Sequence, residues 1–174
     1  MMNMKTLIIL ATIMLFSGGA FAQIKSVYTD LSDTKCKTVE LQEDEGGSYK
    51  GVCNGVAGFK LNLLEGDLRQ SIDVVSPDGK EHQLRLWEHF GGFSAVGEKA
   101  EWRVKGKTPV ALIFRFNVAT DPDDVLKRKS YLIVAKITKD FACVINIVEP
   151  GKNQNEQARK FADAAAVTPC RVSE

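Results

Sequence analysis

Catalytic raw material is scarce in this sequence. Only two histidines, His82 and His89, occur in 174 residues, and neither stands in an HExxH or comparable spacing, which excludes the common zinc-hydrolase signatures. No two cysteines are close enough to make a CxxC, so a thiolate metal site has no foundation. There is no GxSxG elbow and no glycine-rich loop leading from a strand into a helix, which removes the α/β-hydrolase and phosphate-cradle readings. No cofactor is implied. An excess of charge of either sign is missing as well, with 23 basic against 22 acidic residues. Nucleic-acid affinity rests on clustered Lys and Arg. The densest cluster, Lys127-Arg128-Lys129, directly follows Asp121, Asp123 and Asp124 and reads as one solvated loop, so no nucleic-acid partner is expected.

A long apolar run is also lacking. The one candidate, Leu7 to Phe16, follows Lys5 and precedes the small-residue pattern Ala20-Phe21-Ala22. It is too short to span a bilayer, which takes about 18 residues or more, and has the three-part form of a secretory signal. Residues 1–22 are therefore expected to be a signal peptide and residues 23–174 a single disulfide-stapled β-rich domain, periplasmic or secreted. No membrane insertion is expected after cleavage. Losing residues 1–22 removes Lys5 and no acid, leaving a formally neutral domain.

Four cysteines remain: Cys36, Cys53, Cys143 and Cys170. An even number in an exported chain points to disulfides. The stretch CKTVELQEDEGGSYKGVC reads as a hairpin with its turn at Glu43 to Gly47. Centring that turn between Asp44 and Glu45 sets Cys36 opposite Cys53, within bridging distance for an antiparallel pair. A bulge at Gly46-Gly47 would spoil this register. Cys143 and Cys170 then pair by elimination. On this reading Cys53 is structural, and the glycines in YKGVCNGVAGF allow sharp turns or close approach of the backbone.

A second hairpin is signalled by Ser76-Pro77-Asp78-Gly79. Pairing Ser76 with Lys80 puts Ile72, Val74, Leu84 and Leu86 on a core face with His82 and Gln70. The polar face then carries Asp73 opposite Gln83, Ser71 opposite Arg85, and Arg69 opposite Trp87, where a guanidinium–indole stack is expected. Alternation resumes in KAEWRVK, with Ala100, Trp102 and Val104 against Lys99, Glu101, Arg103 and Lys105. It continues in PVALIFRFNV, with Val110, Leu112, Phe114, Phe116 and Val118 inward. SYLIVAKIT and FACVINIVE are apolar on both faces, as central strands are, and Thr138 to Asp140 joins them. Asn153 and Glu156 form a capping-box pattern before a helix with Ala158, Phe161, Ala162 and Ala165 on one stripe. That helix is held beside the core residues Phe141 and Ile145. The fold class expected is mainly β, an antiparallel sandwich or strongly curled sheet of about eight strands with one C-terminal helix.

The order C…GGSY…CNGVAG…GDLR, then AEWR, PVALI and a late cysteine pair around a helix, resembles a group of small exported bacterial proteins with two disulfides. The resemblance implies export and disulfides, and no catalytic or ligand residues.

Function classes follow from what remains. A binding module would use the segment His89 to Gly97, with Phe90 or Phe93 as anchor and His89, Arg69 and Trp87 nearby. Its partner would be another protein, such as a periplasmic hydrolase, or a glycan of the cell envelope. The competing reading of the two phenylalanines is a plug for the sheet end. The alternative class is a small secreted hydrolase using His89 or a carboxylate pair drawn from Asp73, Glu88, Glu98 and Glu101.

Overall fold

The structure is a computed structural model that describes residues 23–172 except Glu45. The expected signal peptide lies outside the described residues. Ten strands follow in chain order: β1 (Ile24–Asp30), β2 (Lys37–Gln42), β3 (Ser48–Asn54), β4 (Lys60–Gly66), β5 (Arg69–Val75), β6 (Glu81–Gln83), β7 (Ser94–Lys105), β8 (Thr108–Ala119), β9 (Arg128–Ile137) and β10 (Ala142–Val148). One helix, α1 (Gln154–Asp163), follows them. The protein is a mainly β fold, as expected, with β1 and β4 added to the eight strands read from the sequence.

The strands form one unclosed sheet in the order β10-β9-β8-β7-β5-β4-β3-β2, with β1 on β7 and β6 on β5. All ladders are antiparallel except the link between β5 and β7, a single parallel bridge of Arg69 to Ser94. The same edge of β7 pairs with β1 from Lys99 to Lys105. The sheet therefore turns a corner at Arg69 and Ser94, and its two halves share one core.

That core holds Trp102, Phe114, Phe116, Leu61, Ile72, Leu86 and Ile133, all fully buried. Burial of side chains this large is the main driving force for the fold, roughly 1.5–3 kcal/mol each. Trp102 satisfies its indole N–H on Thr29 Oγ1 at 2.9 Å. Its ring also explains Gly55, where a Cβ would stand 2.7 Å from the indole. The opposite face of β8, β9 and β10 carries a second cluster, with Ile113, Val134 and Ile145 under Ala158, Ala162 and Ala165.

Both disulfides, Cys36–Cys53 and Cys143–Cys170, are present, and no cysteine is free. The first hairpin keeps the expected register next to the cysteines, with Lys37 facing Val52. Nearer the turn the register is one residue off, with Gln42 facing Ser48, so the turn is not centred between Asp44 and Glu45 as expected; the bulge between Thr38 and Glu40 restores the register that faces Cys36 with Cys53. The Pro77 hairpin also holds, with Val74 facing His82 and Asp73 facing Gln83.

Several expectations are corrected. Glu101 and Arg103 are buried rather than solvated because α1 covers the outer face of β7, and Asp73 is buried between Asn62 and Gln83 of the flanking strands. Val110 falls at a register shift and is only partly buried. β10 ends the strand order rather than lying centrally; its second face is apolar because the helix covers it. Asn153 precedes α1 without a side-chain capping bond. The helix is anchored instead by Gln154, whose Nε2 donates to Ser130 O at 2.9 Å and Val148 O at 3.1 Å. Phe161 and Phe141 are exposed, so the buried stripe is Gln154, Ala158, Ala162 and Ala165, small enough for the helix to lie close to the sheet.

Candidate functional site

The corner of the sheet positions the residues singled out in the sequence. Gln70 Nε2 donates to Glu65 Oε2 at 2.7 Å, Gln70 Oε1 accepts from Val96 N at 2.8 Å, and Ser94 Oγ donates to Gln70 O at 3.0 Å. Ser94 N donates to Leu68 O, and Ala119 N donates to Phe93 O. These bonds fix β5, β7 and β8 against one another just where the alternation of the sequence is lost.

The segment after Gln83 leaves the sheet because Arg85 takes the left-handed conformation, φ 50°, and Leu86–Glu88 forms one 3₁₀ turn. Leu86 is buried and Trp87 is turned outward, 65% exposed. Strand pairing thus stops before it can set Trp87 opposite Arg69. The stack that forms is Arg69 over the Phe93 ring, 5.0 Å to its centroid. Phe90 packs against Phe116 and Tyr131, with ring centroids 5.1 and 5.0 Å away. It is a plug. Ser94 to Gly97, expected in the loop, belongs to β7.

Three clefts meet here. One of about 50 Å³ lies between Arg69, Trp87 and Phe90; one of about 260 Å³ between Arg69, Phe93 and Asp121; one of about 290 Å³ between Phe93, Leu68, Val125 and Arg128. The structure thus gathers Arg69, Trp87, Phe90 and Phe93 at one end of the sheet. His89 is half-buried and lines none of these clefts; burial, then the charge of Arg171, lowers its pKa.

Sequence reasoning missed the turn beside this corner. Asp67 and Leu68 both have positive φ, 50° and 58°, the geometry of a type I′ turn that favours Asn-Gly. A leucine held there costs on the order of 1 kcal/mol or more. Leu68 is nonetheless 59% exposed, so packing does not offset that strain. A fourth cleft, about 370 Å³, lies between Leu68, Leu41, Tyr49 and Glu65. Tyr49 lies across Gly51, where a Cβ would stand 2.2 Å from the hydroxyl oxygen, and that buried hydroxyl has no hydrogen-bond partner. The Gly66-Asp67 pair is the one turn signal the sequence carries here, and nothing in it shows that the leucine faces solvent.

The carboxylates divide into two settings. Glu98 and Glu101 share a cleft of about 220 Å³ with Tyr28, Arg115 and Asn155. Burial pushes the Glu101 carboxyl up, but hydrogen bonds from Arg159 at 2.7 Å and from Ser26 outweigh it and leave its pKa lowered. A carboxylate held ionised in this way cannot serve as a general acid at neutral pH. Glu88 pairs with Arg85. Asp73 is the opposite case: burial pushes its pKa up to about 6, the Leu84 N–H opposes this, and the charge of Glu81 adds to it. Glu81 is lowered, first by a hydrogen bond from Asn62 and then by the Lys50 charge, against its own desolvation.

No protein-family model, curated protein or solved structure matches the chain. Among the described residues no cluster of three or more His, Cys, Asp or Glu is placed to hold a metal ion, and no helix is long and apolar enough to cross a membrane.

Proposed function

We infer that the protein is an exported, non-enzymatic binding module that holds another protein in the cell envelope at the corner of its sheet. The observation that carries this is Trp87: a large aromatic side chain, 65% exposed, presented on a short rigid turn beside clefts lined by Arg69 and Phe93. Trp and Arg are enriched among the side chains that dominate protein interfaces, and a preorganised surface loses less entropy on binding. The two disulfides support an oxidising compartment, and residues 1–22 support periplasmic or secreted localisation.

The test is capture from a periplasmic extract by the immobilised mature protein and by Trp87→Ala. The wild type retains a specific partner and the variant loses it with an unchanged melting temperature. Equal capture by both, or none by either, removes this surface from consideration.

One observation favours the hydrolase alternative, the separation of the Asp73 and Glu81 pKa values, a pattern that assigns acid and base roles in many enzymes. Neither residue lines the clefts described above, so the binding reading stands first. His89 lines none of them either.

A further inference from the structure

The Leu41–Leu68 cleft is lined by two acidic side chains, Glu65 and Asp67, and by no basic one. The neighbouring turn adds Glu43 and Asp44, while the flanking basic side chains Lys50 and Arg69 are paired with Glu81 and Asp67. The two turns meet where Asp67 N donates to Gly46 O at 3.1 Å. Of the described carboxylates, Asp67 is paired with Arg69 and Glu65 accepts from Gln70, while Glu43 and Asp44 are exposed. Between them stand two leucines, Leu41 60% and Leu68 59% exposed, at the mouth of a cleft of about 370 Å³. Strained backbone clusters at ligand clamps and other functional sites, and an apolar cleft lined by one sign of charge selects a partner of the other.

We propose that this cleft docks a cationic, amphipathic segment of a partner protein, its lysine or arginine side chains on the acidic turns and one apolar side chain between Leu41 and Leu68. The proposal rests on the binding-module reading and names the chemistry of the partner. The acidic surface repels nucleic acid and anionic lipid, which leaves a basic protein face as the complementary occupant. Leu68 supplies the apolar contact and the carboxylates supply attraction and selectivity.

The experiment uses the mature protein and two synthetic peptides, one of alternating lysine and leucine and one with glutamate in place of lysine. Calorimetry is expected to show binding of the lysine peptide only, weakening as salt is raised from about 50 to about 300 mM. Leu68→Gly should weaken it roughly tenfold without lowering the melting temperature, since glycine adopts the left-handed turn without the strain that leucine carries there. The paired change Glu43→Gln with Asp44→Asn should reduce both the affinity and its salt dependence. Equal binding of the two peptides, binding of neither, or full affinity in Leu68→Gly overturns the proposal. Those outcomes leave the Trp87 capture test to judge the broader reading by itself.

Discussion

Arg103 and Asp163 are joined by two parallel hydrogen bonds, Nε to Oδ1 at 2.7 Å and Nη2 to Oδ2 at 2.8 Å. This fork ties β7 to the last turn of α1. Arg159 repeats the arrangement one turn earlier on Glu101, with Nε to Oε1 at 2.7 Å and Nη2 to Oε2 at 3.1 Å. A helix whose buried stripe is mostly alanine brings little apolar area to the sheet. The two forks and the Cys143–Cys170 bridge make up for that, and the forks explain why Glu101 and Arg103 are buried while Lys99 and Lys105 of the same face stay exposed.

The fork gives the first prediction. Arg103→Ala should lower stability by about 2–3 kcal/mol, somewhat less than for a fully buried pair because Asp163 is partly exposed. Arg103→Lys should recover only part of this, since an ammonium cannot make the two-point contact. Urea unfolding followed by circular dichroism measures both. A loss as small as that of a surface pair would mean that the helix is held without the fork.

The disulfides give the second. Loss of Cys143–Cys170, which closes 27 residues of sequence separation, should cost about 3.5 kcal/mol by the chain-entropy relation. Loss of Cys36–Cys53, which closes 17, should cost about 3 kcal/mol. Reversible unfolding of the two double-serine variants tests the order, and peptide mapping under non-reducing conditions tests the pairing itself.

The three aromatic side chains near the corner should separate by role. Phe90→Ala removes a ring packed on Phe116 and Tyr131 and should cost about 3 kcal/mol. Trp87→Ala removes an exposed ring and should change stability by no more than about 0.5 kcal/mol. Phe93→Ala should fall between them, as it forfeits the Arg69 stack, worth roughly 0.5–1 kcal/mol, and some packing. Thermal melts of the three variants decide it, and a stable Phe90→Ala would contradict the plug.

Eight of the ten described strands and the cysteine pairing were legible because they depend on local alternation and turn chemistry. The register that faces Val74 with His82 needs only the position of a turn, whereas the one that faces Cys36 with Cys53 also needs the bulge between Thr38 and Glu40. Burial on the second face was not legible. Glu101, Arg103 and Asp73 read as solvated in an alternating strand, and only the tertiary placement of α1, or of neighbours across the sheet, removes them from water. The Arg69–Trp87 pairing failed for a backbone reason, the left-handed turn at Arg85, which a residue other than glycine does not advertise. Within the candidate site the sequence singled out Arg69, Trp87, Phe90 and Phe93, which do come together. It gave no hint of Leu68.

Asp73 yields the last prediction, a dependence of stability on pH. Its carboxyl titrates near 6 in the folded protein and near its ordinary value of 3.8 when unfolded. Between these values the folded state binds more protons than the unfolded state, so stability falls as pH rises from about 4 to about 6. The full effect of a shift of about two units is about 3 kcal/mol. Glu81 and Glu101 act in the opposite sense. Their pKa values are lowered on folding, so their contribution is present above the ordinary carboxylate range and is lost as pH falls through it. His82 and His89, lowered chiefly by burial, cost stability as pH falls through the ordinary histidine range and so oppose the Asp73 effect, whose share is read as the difference between wild type and Asp73→Asn. Asp73→Asn keeps an oxygen for the Leu84 N–H, which now reaches Asp73 Oδ1 at 3.3 Å, and removes the charge. It should raise stability at neutral pH more than at pH 4, so that the difference between variant and wild type grows between pH 4 and 6, as measured by urea unfolding across that range. If the difference is constant across it, the carboxylate is accommodated without penalty by the Leu84 N–H and Lys50, and the Asp73–Glu81 pair then has no basis for an acid–base role.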